Sequence, residues 1–157
     1  MEEIRIRPAT IEDVGLILHH RTAMFSDMGD GDAALALMRP SSEAFLRRAL
    51  VDGTYRGWLA VAAGGRVVAG GGVAIVPWPG SPADPAPRRG WIQNVYTEPE
   101  FRRRGIARRI MEAIVAWCRA EGFRAVSLHA STFGRPLYES MGFQPTNEMR
   151  LYLDRTS

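Results

Sequence analysis

The sequence predicts a mixed α/β domain built around one core and spanning 1–157. A length of 157 residues with 46% apolar and 24% charged composition suits a single globular core. Apolar residues alternate between strand and helix spacing along the chain, giving the order βααβββαβαβ. No internal repeat and no shift in composition marks a second domain.

Ile4 and Ile6, with polar neighbours, predict a first strand. Thr10 follows as an N-cap, and Asp13 three residues on makes a variant capping box. Val14, Leu16, Ile17 and Leu18 give the next helix its apolar stripe, to about Phe25. Met28-Gly29-Asp30-Gly31-Asp32 breaks it. A second helix is expected to begin after Pro40-Ser41, to carry Phe45, Leu46 and Leu50, and to end at Asp52-Gly53. Strands are expected over about Tyr55–Ala62 and Arg66–Val76, with Gly64-Gly65 as the hairpin turn. Gly70-Gly71-Gly72 has no helix after it, so it reads as a strand with a bulge or a close ligand approach and not as a phosphate loop. Five prolines from Pro77 to Pro87 predict a surface loop. A fourth strand follows at about Gly90–Thr97, then a long amphipathic helix over about Arg103–Glu121 ending near Gly122. A buried strand is expected at Arg124–Ala130 and a short helix at Arg135–Met141. Closing strands are expected from Phe143 onward and at Met149–Leu153.

Several classes of function are set aside by composition. All 20 basic residues are arginine. Without lysine there is no Schiff-base chemistry and no Walker-type nucleotide loop. The single Cys118 forms no internal disulfide and argues against a cysteine-based metal site. No run of about 18 apolar residues is present, so no membrane partner is expected. Met1-Glu2-Glu3-Ile4-Arg5 is charged and lacks the apolar core of a signal peptide, which fits a cytoplasmic location. The net charge is +3, and aromatics are not interleaved with the arginines, so no nucleic-acid partner is expected.

The most informative stretch is Arg102-Arg103-Arg104-Gly105-Ile106-Ala107. It joins the fourth strand, through a Pro99 turn, to the long helix. The first N–H groups of a helix have no partner inside it and carry the positive end of its dipole. Gly105 places no side chain in the way of a close backbone approach. Together these make a cradle for a phosphate-bearing ligand. Ile106, Ile110, Ala113, Ile114 and Trp117 share one helix face and press it on the sheet, which fixes the cradle in space.

The spacing Arg102-x-x-Gly105-x-Ala107 resembles the acyl-CoA pyrophosphate motif of the GNAT acetyltransferases. Leu137-Tyr138-Glu139-Ser140-Met141-Gly142-Phe143 resembles that family's last helix and following strand. The resemblance implies a mixed, mostly antiparallel sheet with a splayed central strand pair and flanking helices. It implies acetyl-CoA as co-substrate, its pyrophosphate held at Arg102, Arg103, Arg104, Gly105, Ile106, Ala107 and Arg108. The pantetheine arm would lie along Val95-Tyr96-Thr97, with the backbone at Val95 polarising the thioester carbonyl and Tyr138 as general acid. A helix terminus contributes roughly 0.3–2 kcal/mol to an anion. A micromolar ligand needs about 8 kcal/mol. The strand contacts must therefore supply much of the affinity.

Two positions depart from the family pattern. Ser131 stands where an asparagine is usual, seven residues before Tyr138, and is expected to help hold the cofactor. Gly134 replaces the usual alanine, a small-for-small change. No glutamate stands on the fourth strand. Gln93 and Asn94 can hold a water there, and Glu98, Glu100 and His129 are nearby base candidates. Met24, Phe25, Asp27, Met28, Asp30 and Asp32 are expected to wall the acceptor side, with Trp78 and Trp91 at the same cleft. Cys118 lies on the buried side of its helix, which argues against a covalent acetyl-cysteine. The reading is an N-acetyltransferase that carries acetyl directly to a primary amine on a small molecule or peptide. The alternative is an acyl-CoA-binding module without useful turnover. Homodimers are common in similar proteins, and a homodimer is carried as an expectation here.

Overall fold

The computed structural model describes residues 3–154. Met1 and Glu2, part of the charged N-terminal stretch, lie outside them. Five strands form one sheet in the order β1-β2-β3-β4-β5: β1 Ile4–Pro8, β2 Tyr55–Ala62, β3 Val67–Pro77, β4 Arg88–Thr97 and β5 Val126–Leu128. The first four are antiparallel neighbours, and β5 runs parallel to β4. Helices α1 (Val14–Asp27) and α2 (Asp32–Asp52) contribute Val14, Ile17, Leu18, Leu46 and Ala49 to one core cluster, with Tyr55 and Ala74 of the sheet. Helix α3 (Ile106–Ala120) buries Ile106, Ile110, Met111, Ile114 and Cys118 in a second cluster, which Tyr138 of the short α4 (Arg135–Ser140) joins. No helix among the described residues is long and apolar enough to cross a membrane.

The predicted cap at Thr10 forms. Its backbone N–H donates to Asp13 Oδ2 at 2.8 Å, and its hydroxyl accepts from Glu12 N at 3.3 Å. The box closes a short 3-10 turn, Ile11–Asp13, that feeds α1. Both guanidinium nitrogens of Arg7 reach Asp13 at 2.9 Å, tying β1 to the helix start. That hydrogen bonding, opposed by burial, holds the Asp13 carboxyl below its ordinary value. The hairpin turn at Gly64 and Gly65 has φ of 86° and 92°, as a glycine pair there requires.

Four expectations need correction. Helix α2 begins at Asp32 and runs straight through Pro40. A proline inside a helix removes one hydrogen bond and is normally a stop. Here Pro40 is exposed, while Leu35, Ser42, Leu46 and Ala49 make one continuous buried stripe. Ser41 Oγ also donates to the Met38 carbonyl at 3.1 Å. Packing on both sides outweighs the local defect. Helix α3 starts at Ile106, three residues later than expected, because Arg103 and Gly105 adopt φ of 64° and 75°. Strand β5 covers Val126–Leu128 alone and is half-buried, since it pairs with β4 on one side only. The closing strands at Phe143 and at Met149–Leu153 do not form in the described residues: Met149, Leu151 and Leu153 are exposed, and the segment is not part of the sheet.

The glycine run on β3 carries the bulge read from the sequence, and side chains of the same chain pack against it. A β-carbon on Gly70 would sit 2.8 Å from His20 Nδ1, and one on Gly71 would sit 2.9 Å from Ile110 Cγ2. The β3–β4 register shifts between Gly70 and Gly72. His20 is 2% exposed, its ring 5.7 Å from that of Tyr96. Burial first, then the neighbouring His19, push its pKa down to about 4, against the pull of Glu98. In the unfolded chain the same imidazole titrates near 6.5. The native state therefore binds fewer protons than the unfolded state between these values. The stabilisation is complete above about pH 6.5 and is lost as pH falls toward 4, in total about 3 kcal/mol. His20→Gln, which does not titrate there, should flatten this part of the stability–pH curve in denaturant titrations. An unchanged slope in the variant would remove His20 as its source.

Candidate active site

Strand β4 pairs with β5 only through Gly90, Trp91 and Ile92, opposite Val126, Ser127 and Leu128. Beyond Ile92 the two diverge. The β4 backbone from Gln93 to Thr97 has no strand on that side among the described residues. Asn94 marks the point of divergence with φ of 62°, a left-handed conformation uncommon for a non-glycine residue. Its side chain explains how it is held. Nδ2 donates to the Tyr55 hydroxyl at 3.0 Å, and Oδ1 accepts from Arg21 at 3.0 Å. Arg21 also donates to Ser42 Oγ at 3.0 Å, so one buried network ties the kink in β4 to α1, α2 and β2. Burial pushes the Tyr55 phenol up to about 12 and lowers Arg21 from its ordinary value. Asn94 is thus occupied structurally and is not free to hold a water.

The divergence opens a cavity of about 1020 Å³. That is room for a cofactor-sized ligand. Its walls come from Val95, Tyr96 and Thr97 on β4, from Arg102 through Arg108 with the exception of Arg104, and from Ala130 through Gly134 after β5. Leu137 and Tyr138 of α4 close one side, and Met24, Asp27 and Met28 of α1 close another. The N-terminus of α3 opens into it. Ile106, Ala107 and Arg108 present the helix's unpaired N–H groups. A β-carbon on Gly105 would meet nothing within 4 Å, so this corner is open space bounded by backbone.

The arginines divide. Arg102 turns inward: Nε donates to the Thr97 carbonyl at 2.9 Å, and a terminal nitrogen donates to Asp27 at 2.8 Å. Its guanidinium lies 5.4 Å from the Tyr96 ring and 5.2 Å from the Phe133 ring. It joins β4, α1 and the post-β5 loop across the cavity. Arg108 hydrogen-bonds Ser140 Oγ on α4. Arg104 points away, donating to the Glu100 carbonyl at 3.1 Å. Arg103 is exposed and stands in the wall.

Tyr138 is 8% exposed, and burial raises its phenol above the ordinary value. Phe143 packs edge-on against it at 5.9 Å between centroids. A β-carbon on Gly134 would lie 2.8 Å from Tyr138 Cε2, so the glycine that departs from the family pattern makes room for this ring. Ser131 lines the cavity, and its hydroxyl accepts from Gly134 N at 3.0 Å, capping the turn that carries the tyrosine.

The base candidates lie outside the walls. Glu98 pairs with His19 at 2.7 Å, Glu100 hydrogen-bonds Arg66, and His129 pairs with Glu148 at 2.7 Å. Among the described residues, Asp27 is the one carboxylate in the cavity wall. Trp78 and Trp91 sandwich Arg89, at 4.6 and 4.3 Å, and do not line the cavity. Phe25 stacks on Arg21 at 5.0 Å, and Asp30 and Asp32 face solvent. The sequence reading missed the network of Arg21, Asn94 and Tyr55 and the bridge from Arg102 to Asp27. A signal for the first was present: Asn94 sits between Ile92 and Tyr96 at a parity that turns it inward.

A sheet split beside a helix N-terminus is the architecture that the comparisons with known proteins match. The chain belongs to the acetyltransferase (GNAT) family, whose model matches residues 23–143. A GCN5-related N-acetyltransferase from Ralstonia eutropha JMP134 is 36% identical, with a TM-score of 0.92 over 96% of this chain and 99% of that one. A predicted acetyltransferase from Clostridium acetobutylicum, solved with acetyl-CoA, is 26% identical, with a TM-score of 0.86 over 96% and 97%. An aminoglycoside N-acetyltransferase in complex with CoA shares the fold at 18% identity, with a TM-score of 0.68 over 99% and 97%. No curated protein matches the chain in sequence.

Proposed function

We propose that this chain moves an acetyl group from acetyl-CoA to a primary amine, by direct attack while both are bound. The observation that carries the reading is the continuity of the cavity. One wall runs from the α3 N-terminus at Gly105, past the stretch Val95–Thr97 of β4 that β5 does not reach, to Tyr138. The solved Clostridium relative with acetyl-CoA supports the choice of ligand.

In this reading the N–H groups of Ile106, Ala107 and Arg108 receive the pyrophosphate, with Arg102, Arg103 and Ser131 around it. The open edge of Val95, Tyr96 and Thr97 pairs with the amides of the pantetheine arm, as an added strand would. Acetyl-CoA supplies an activated thioester. The backbone N–H at Val95 donates to the thioester oxygen as charge develops there. Tyr138, kept protonated by burial, gives its proton to the departing sulfur, while the attacking amine loses one proton to water and water restores the phenol. Cys118 plays no part: it is 3% exposed, and burial pushes its thiol up to about 11. Asp27 is paired with Arg102 and is not free to act as a base. Making a lysine-like amine neutral near pH 7.4 costs about 4 kcal/mol, against a few tenths for an α-amine. With no free base in the wall, acceptors of low amine pKa should react best.

The test is acetyl-CoA consumption against a panel of amines of graded pKa, followed by initial velocities with both substrates varied. Intersecting lines are expected; parallel lines would replace direct transfer with a covalent intermediate. Binding of acetyl-CoA with no turnover on any amine would leave the binding-module alternative.

Arg103 and Arg104 supply a further check. Backbone groups do most of the holding in this account, so Arg103→Ala should weaken acetyl-CoA binding by less than about tenfold, within the range of one exposed charge. Arg104→Ala should do less still, since Arg104 faces away. A thousandfold loss from either, measured by calorimetry, would show that a side-chain clamp dominates.

A further inference from the structure

At the start of β4 stands an arginine that no carboxylate answers. Arg89, Trp91 and Gln93 alternate onto the sheet face that α1 and α2 cover, for Trp91 packs against their core cluster while Ile92 joins the other. The Arg89 guanidinium lies between two indoles, 4.6 Å from the Trp78 ring and 4.3 Å from the Trp91 ring. Stacking covers the two faces of the guanidinium plane and leaves the N–H groups along its edge able to donate. One of them reaches Ser127 Oγ, at a long 3.4 Å. Among the described residues Arg89 pairs with no carboxylate, whereas its neighbour Arg88 has Asp84 at 3.9 Å. Arg89 is half-buried and Trp78 is 44% exposed, so the cluster is open to a ligand. The row also leads to the cavity. His129 lies 4.8 Å from Trp91, and the next residue, Ala130, is in the cavity wall. Gln93 stands between Trp91 and Val95, which is in the wall as well. Glu148 touches this row through His129 at 2.7 Å, and Arg150 meets its charge at 3.6 Å.

We propose that the acceptor lies along this row, its amine in the cavity beside Gln93 and Val95, and that Arg89 binds a carboxylate at its far end. The inference rests on the acetyl transfer proposed above and names the class of acceptor. From Gln93 to Arg89 is four residues of strand, about 13 Å at about 3.3 Å per residue. A free amino acid is too short to span it, and a diamine lacks the anion. The acceptor is an extended amine about as long as four peptide residues, with a carboxylate opposite the amine. A planar guanidinium meets a carboxylate through two parallel N–H bonds, and an indole on each face holds that plane in one orientation. The carboxylate sits far from the reacting carbon, so its contact is the same before and during transfer. Its contribution therefore falls on KM and leaves kcat unchanged.

Initial rates with amidated tetrapeptides that differ only at the last residue, glutamate, glutamine or lysine, test the inference. The glutamate peptide should have a KM about tenfold to hundredfold below that of the glutamine peptide, the usual worth of a hydrogen bond to a charged group, at equal kcat. The lysine peptide should be poorer still. Tetra-alanine with a free C-terminal carboxylate, set against its amide, separates a terminal carboxylate from a side-chain one. Arg89→Gln should abolish the preference. Arg89→Glu should reverse it in favour of lysine, a gain that an unfolded variant does not give. Calorimetry of the same peptides with CoA bound reads the preference without turnover. A protein that discriminates there and acetylates nothing would fail the acetyl-transfer reading and support the Arg89 site. No preference for the carboxylate in either pair of peptides, by rate or by calorimetry, would overturn the proposal. So would a preference that survives in folded Arg89→Gln.

Discussion

Tyr138→Phe should cut turnover by about 10²–10⁴-fold, the usual contribution of a positioned general acid. Acetyl-CoA affinity should stay nearly constant. The substitution keeps the ring and its contact with Phe143 and deletes only the hydroxyl. Position explains why the effect should fall on turnover. On α4 the ring packs over Gly134, whereas the proposed pyrophosphate site is at the start of α3. The raised pKa has a second consequence. A group that must donate its proton works as long as it is protonated. Activity should therefore not fall on the alkaline side until pH exceeds the ordinary phenol value of about 10. Turnover and dissociation constant measured on one folded preparation decide the point. Equal turnover in the two proteins would remove Tyr138 from the chemistry and leave the Val95 backbone and substrate positioning as the sources of rate.

Gly105→Glu should weaken acetyl-CoA binding by on the order of a thousandfold. A carboxylate about 4 Å from a phosphate opposes it by about 4 kcal/mol at an effective dielectric of 20, and each 1.4 kcal/mol is tenfold. Nothing lies within 4 Å of where the β-carbon would stand, so the new side chain would project into the cavity without displacing protein atoms. The backbone is a separate matter. With φ of 75°, any side chain at 105 is strained by roughly 1–2 kcal/mol. Gly105→Ala serves as the control, since it carries the strain without the charge. The alanine variant should lose stability and keep most of its affinity. The glutamate variant should show no rise in melting temperature with acetyl-CoA, although the unmodified protein should show one. An unchanged affinity in folded Gly105→Glu would move the pyrophosphate elsewhere.

The turn that leads into α3 was legible in the sequence because its determinants are local. A strand, a turn and a helix start stand next to one another, and Gly105 marks the left-handed position directly. Tyr138 was legible for a similar reason: it lies on one short helix with its own glycine stop at Gly142. What was missed depends on partners distant in the chain. Pro40 reads as a helix boundary until Leu35 and Leu46 are seen to face the same core. Arg102 reads as one of the pyrophosphate arginines until its partners appear, Thr97 five residues away and Asp27 on another helix. Glu98 and His129, plausible bases by their neighbourhood, are turned toward His19 and Glu148. The alternation at Met149–Leu153 reads as a strand, yet none forms there among the described residues.

The central claim is that acetyl leaves acetyl-CoA and arrives on an amine in this cavity. The direct measurement quantifies released thiol and N-acetylated product in the same reaction, with the best acceptor from the amine panel. One product per thiol is expected, with both falling together in Tyr138→Phe. Thiol released at the same rate with or without amine, and no N-acetylated product, would contradict the account.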